Sequence, residues 1–232
     1  MKALIFRHLA KVASVIYLLT IADHPPSMQQ LSGYGELHHN TEHGSCALDP
    51  DYVLVHHTAR RHLWYVFERL ALPSGENPEA YSIEMIRNRG GETYINAMTC
   101  SSSRVIWVSV KAWEELYGYE PALALLVAHE MAHANLRSPF LLREDNMQVT
   151  ERHLFQTLTY RQQWEVAADQ RAADIMLRAG YSQSQILAAS RYILGREGAA
   201  HLLPASYSHP SGWDRVALLN YYLQRGSGQL AR

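Results

Sequence analysis

Three polar side chains interrupt the apolar run from Pro121 to Ala134: His129, Glu130 and His133. The spacing His-Glu-x-x-His puts the two imidazoles at i and i+4 on one helical face. There both can present a nitrogen to one zinc ion, and the glutamate reaches a water at that metal. A helix that is apolar all round is buried, so these groups need partners or a metal to offset desolvation. Chance places such a pattern somewhere in a chain of this composition roughly one time in twenty. The reading therefore turns on a third ligand from a second helix.

The segment Gln163 to Asp174 supplies one. Glu165 and Asp169 stand at i and i+4 along a helix whose stripe of Ala168, Ala172, Ala173 and Met176 is small enough for close approach to the first. Glu165 completes a His, His, Glu set with His129 and His133. Asp169, one turn later, is placed to receive the second ring N–H of a ligand histidine. A third element is Tyr207 to Val216. Pro210 suits the first turn of a helix, which leaves His209 at its amino-terminal edge to donate to an oxyanion, with Arg215 in support further along. The expected catalytic set is Glu130, His209 and Arg215, with one zinc per chain on His129, His133 and Glu165.

These groups have to be held by a scaffold. Periodicity predicts a helix over 51–71, closed by Leu72-Pro73-Ser74-Gly75. Three short strands follow, at 81–86, 92–98 and 104–110, read as a small antiparallel sheet. From Ala112 the pattern is almost wholly helical, with breaks at Ser138-Pro139 and at 195–204. The polar stretch Arg143 to Arg152 reads as a loop over the cleft. The strand near Asn96 and Ala97 is the edge expected to bind an extended polypeptide substrate through backbone pairing.

Composition narrows the remaining classes. Lys plus Arg number 21 against 22 Asp plus Glu, a formal charge of −1 that lacks the basic surplus of a nucleic-acid binder. No apolar run reaches the roughly 20 residues of a comfortable membrane helix. Residues 1–22 combine a basic start with a short apolar stretch, which predicts a signal peptide or a short membrane anchor and thus an exported, periplasmic or membrane-anchored protein. Residues 23–50 read as a linker or surface loop and 51–232 as the functional domain. The two cysteines, Cys46 and Cys100, are either bridged or two free thiols.

Taken together, His129-Glu130-x-x-His133, Glu165-x-x-Ala168-Asp169 and His209-Pro210 with Arg215, preceded by Asn96-Ala97 and the strand Val105 to Val110, resemble the gluzincin family of the CAAX prenyl proteases and the bacterial heat-shock membrane protease. The small soluble periplasmic members are the most similar. The resemblance implies an α+β, mainly helical zincin-like metallopeptidase domain with its small sheet beside the active-site helix. It also implies zinc as cofactor and endopeptidase activity, which at the cell envelope would serve protein quality control. By the same resemblance Glu130 is the base, and His209 stabilises the tetrahedral intermediate. The chain has no tetratricopeptide-like tail after residue 225 and none of the membrane spans of the prenyl protease branch. Two rival readings are a metal-stabilised binding or chaperone-like module with little turnover, and a separate metal site at His38, His39, His43 and Cys46.

Overall fold

The computed structural model describes residues 46–91, 95–136, 147–196 and 209–226. The chain divides into two units, Met1–His39 and Asn40–Arg232. The expected leader over 1–22, and His38, His39 and His43, lie outside the described residues. Among the described residues there are seven helices and one four-stranded mixed sheet.

The first element departs from expectation. Tyr52–Val55 is a strand, β1, and the helix α1 begins only at Ala59 and runs to Ser74. Val53 and Val55 are two residues apart, the period of a strand rather than of a helical face, and an aromatic and β-branched run fits a pleated surface. Pairing with the next strand fixes it: β1 lies antiparallel to β2, Ser82–Asn88. His57 Nδ1 accepts the Ala59 N–H at 3.1 Å, and α1 closes as expected on Gly75, whose φ of 78° is left-handed.

Strands β3, Ala97–Cys100, and β4, Val105–Ser109, follow. The sheet order is β1-β2-β4-β3, with β2 and β4 parallel, which corrects the expected antiparallel sheet. The tight turn after Cys100 folds β4 back between β2 and β3. That leaves β4 running in the direction of β2 and puts β3 at the edge. Of the strand expected at 92–98, residues 92–94 lie outside the described residues, and the pairing segment is 97–100.

Seven-residue α2, Val110–Leu116, leads into α3, Glu120–Asn135. Then come α4, Val149–Gln156, α5, Tyr160–Arg178, α6, Gln183–Arg196, and α7, Gly212–Gly226. Residues 149–152, expected in the polar loop, are instead the first turn of α4. Arg225 of α7 holds this turn through a 2.7 Å ion pair to the fully buried Glu151.

One face of the sheet, with Ile83, Met85, Ile106 and Val108, packs on Leu63, Phe67 and Leu70 of α1 and on Leu123, Val127 and Met131 of α3. The other face gathers Tyr52, Ile86, Met98, Cys100 and Trp107, with Leu48 against them. No helix among the described residues is long and apolar enough to cross a membrane.

Cys46 and Cys100 form a disulfide, with their Cα atoms 5.8 Å apart, and no free cysteine remains. The bridge settles the alternative between paired and free thiols, and it removes Cys46 from any separate metal site. It spans 54 residues of sequence, for which loop entropy gives about 4 kcal/mol of stabilisation. Chemical unfolding with and without reductant should show a difference of that order. Mass analysis of the native, non-reduced protein should find two fewer hydrogens than the reduced chain carries.

Candidate metal centre

Helix α3 is buried along most of its length, and its last two turns carry the polar groups. His129 Nε2 and His133 Nε2 lie 3.0 Å apart. Glu165 of α5 places Oε2 3.3 Å from His129 Nε2 and Oε1 3.4 Å from His133 Nε2. One donor atom from each residue lies within 4.8 Å of the other two, so the group can hold a metal ion. The side chains are brought together because α3 and α5 pack directly on one another. Buried Ala128 and Ala132 on one helix and Ala168, Ala172 and Ala173 on the other keep bulk out of the space between them.

Asp169, one turn beyond Glu165, stands 2.9 Å from His129 Nδ1, the placement its spacing predicts. Arg215 grips the same carboxylate with both arms, Nε to Oδ2 at 2.8 Å and Nη2 to Oδ1 at 2.7 Å. Arg215 thus reaches His129 through Asp169 rather than supporting His209, a role the sequence did not reveal.

The electrostatics follow from burial and pairing. Burial works against the charge on Asp169, but the guanidinium and the hydrogen bonds from Arg215 and His129 hold its carboxyl down to about 2. Burial also opposes a charged His129, yet hydrogen bonds to Asp169 and Glu165 outweigh it and raise the imidazole to about 10. Glu165 is held well below the usual carboxylate range by His133 and His129, again against its burial. Without a metal, the cluster therefore retains a proton on His129 at neutral pH.

Glu130 points to the sheet side of α3 and is 6% exposed. Thr99 of β3 donates to its Oε2 at 2.6 Å, and Ser101 Oγ reaches the His133 carbonyl at 3.2 Å. Asn96 and Ala97 stand where the edge strand begins. The Asn96 amide donates to the Tyr52 hydroxyl at 2.6 Å, and its backbone exchanges hydrogen bonds with Ser109. Asn96 therefore anchors the start of β3, which among the described strands pairs with β4 alone.

His209 brings Nε2 to 3.4 Å from Glu165 Oε2, with 43% of its side chain exposed. Pro210 is not in the first turn of α7. Ser211 caps that helix by accepting the Asp214 N–H at 3.1 Å, so His209 sits on the preceding loop. Gln162 fixes it there. Its side chain closes a capping box with Thr159 at the start of α5, and its Nε2 donates to the His209 carbonyl at 3.3 Å. Burial lowers the His209 pKa, opposed by the Glu165 charge and aided by the Arg215 guanidinium.

All nine residues expected at the site are described, and the metal triad, Asp169, Arg215 and His209 converge on it. Thr99 and Gln162 were not foreseen. The Thr-x-x-Gln pattern at 159–162 signals a capping box and so marks Gln162, whereas Thr99 carries no sequence signal. No protein-family model matches this sequence, and no curated protein matches it significantly.

Proposed function

We propose that the chain is a zinc-dependent endopeptidase with a zincin-like centre, acting on extended polypeptide. The observation that carries this reading is the spacing of the donor atoms. The two imidazole nitrogens lie 3.0 Å apart, each lies 3.3–3.4 Å from one of the two Glu165 oxygens, and one donor atom per residue falls within 4.8 Å of the other two, a grouping compact enough for the bonds of about 2.0–2.2 Å that a zinc ion makes. Two imidazoles and one carboxylate form a catalytic type of donor set, which keeps one position open. When bound, zinc supplies Lewis acidity that polarises the scissile carbonyl and makes a water acidic near neutral pH.

The chain's own groups account for the proton transfers. Thr99 engages Glu130 Oε2, which leaves Oε1 to take the proton of the attacking water. As the C–O bond forms and the C–N bond breaks, that proton passes to the departing amine. His209 donates its N–H to the developing oxyanion. Asp169, clamped by Arg215, fixes the tautomer and tilt of His129. Strand β3 pairs with β4 alone among the described strands, and its outer edge offers backbone groups to an extended substrate. A binding module without turnover has no need of a buried acid–base group beside the metal triad, so Glu130 favours the enzyme.

The Cys46–Cys100 bridge supports export to an oxidising compartment, where such an activity would serve protein quality control. Incubation of a reduced, unfolded protein with the metal-loaded chain should give new amino termini. A chelator should stop their appearance, and metal analysis should find one zinc per chain. Cleavage unaffected by the chelator would overturn the reading. His209→Phe is expected to lower kcat roughly a hundredfold with little change in KM, because the bond it removes belongs to the transition state. Steady-state kinetics on one peptide checks this.

A further inference from the structure

We propose that Thr99 is a positioning residue for hydrolysis: its hydroxyl holds the Glu130 carboxylate in register with the edge strand that receives the substrate. This inference rests on the metallopeptidase reading of the site. Thr99 lies on the face of β3 turned towards α3, with Ala97 before it and Ser101 after it, while Met98 and Cys100 point to the opposite face. Its Oγ1 stands 2.6 Å from Glu130 Oε2 and 3.0 Å from the Glu130 backbone oxygen. One hydroxyl has one hydrogen, and the shorter, charge-assisted contact to the carboxylate takes it.

Glu130 is only 6% exposed, and a carboxylate so withdrawn from water needs a donor. The Thr99 hydroxyl supplies one from a strand rather than from the helix that carries the base. This choice of element has a mechanical result. The disulfide at Cys100 and the Ser101 contact to His133 tie down the two residues that follow this hydroxyl. The strand against which a peptide aligns and the base that deprotonates the water are therefore one unit. Valine would fill the volume of Thr99 without a donor and would let the Glu130 side chain rotate away.

Two measurements test this. In the zinc-loaded protein, Thr99→Val should lower kcat roughly tenfold, with KM within about twofold and metal content unchanged, and Thr99→Ser should recover most of the loss. Thr99→Ala replaces valine should the latter disturb folding. In the metal-free protein, Thr99→Val and Glu130→Leu should be non-additive in their shifts of the denaturation midpoint, since each removes the same bond. Parent-like kcat in Thr99→Val, or additive shifts, overturns the proposal. Should the parent hydrolyse no peptide, the metallopeptidase reading fails, while the stability cycle still decides whether Thr99 holds Glu130.

Discussion

Glu130→Gln is expected to reduce peptide hydrolysis roughly a thousandfold, within the range that a positioned general base contributes. The amide is almost isosteric with the carboxylate, and its carbonyl still accepts the Thr99 hydroxyl, so the contact between α3 and β3 persists. His129, His133 and Glu165 are untouched, and metal content should equal that of the parent. What the amide lacks at neutral pH is the capacity to take a proton from water and return it to the amine. The loss should therefore fall on kcat, with KM little changed. Kinetics, zinc analysis and circular dichroism on the same preparation separate this outcome from misfolding. Residual turnover above a tenth of the parent's would show that another group accepts the proton.

Metal affinity should fall in steps that follow the shells around the ion. Glu165→Ala or His133→Ala removes a donor atom and should weaken zinc by well over a hundredfold. Asp169→Asn should cost about ten- to a hundredfold, the usual effect of losing a ligand's outer partner. Asp174→Ala, whose carboxylate bonds to Tyr222 rather than to the triad, should leave affinity alone. The same experiment has a pH axis. With His129 raised to about 10 in the metal-free protein, zinc must displace a proton to reach Nε2, so apparent affinity should rise with pH from neutrality to about 10, by roughly tenfold per unit for each proton released. Titration in weak buffer should show the acidification directly. Equal affinity at pH 7 and pH 9 would mean that His129 is already neutral. Parent-like zinc binding in Glu165→Ala would reassign the third ligand.

Much of the site was legible in the sequence because helices encode their faces locally. His129 and His133, and then Glu165 and Asp169, each stand four residues apart, and that interval alone puts each pair on one side of its helix. The alanines between them announced close packing. Features that depend on where distant segments meet were hidden. Val53 and Val55 carry the strand period of two over only four residues, too short a run to stand out before the helix that follows, and the β2 partner is what makes them a strand. The parallel pairing of β2 with β4 follows from β3 folding outward, which no short window of sequence contains. Arg215 reads as a helix residue near His209, but its partner is a carboxylate 46 residues earlier. Thr99 is an ordinary strand residue until the helix 31 positions away is laid across it. The pairing of Cys46 with Cys100 likewise needed a distance that composition cannot supply.

The two-pronged ion pair between Arg215 and Asp169 also limits how this sequence can drift. Both side chains are largely withdrawn from water, 16% and 12% exposed. Removing one partner strands the other's charge, at a cost of about 3–5 kcal/mol, a large share of a domain's stability. A lineage that crosses such a gap one substitution at a time must pass through a destabilised intermediate. Arginine and aspartate at these positions should therefore be inherited together or exchanged together among descendants of a common ancestor, and a sequence that loses the aspartate also loses the carboxylate beside His129 Nδ1.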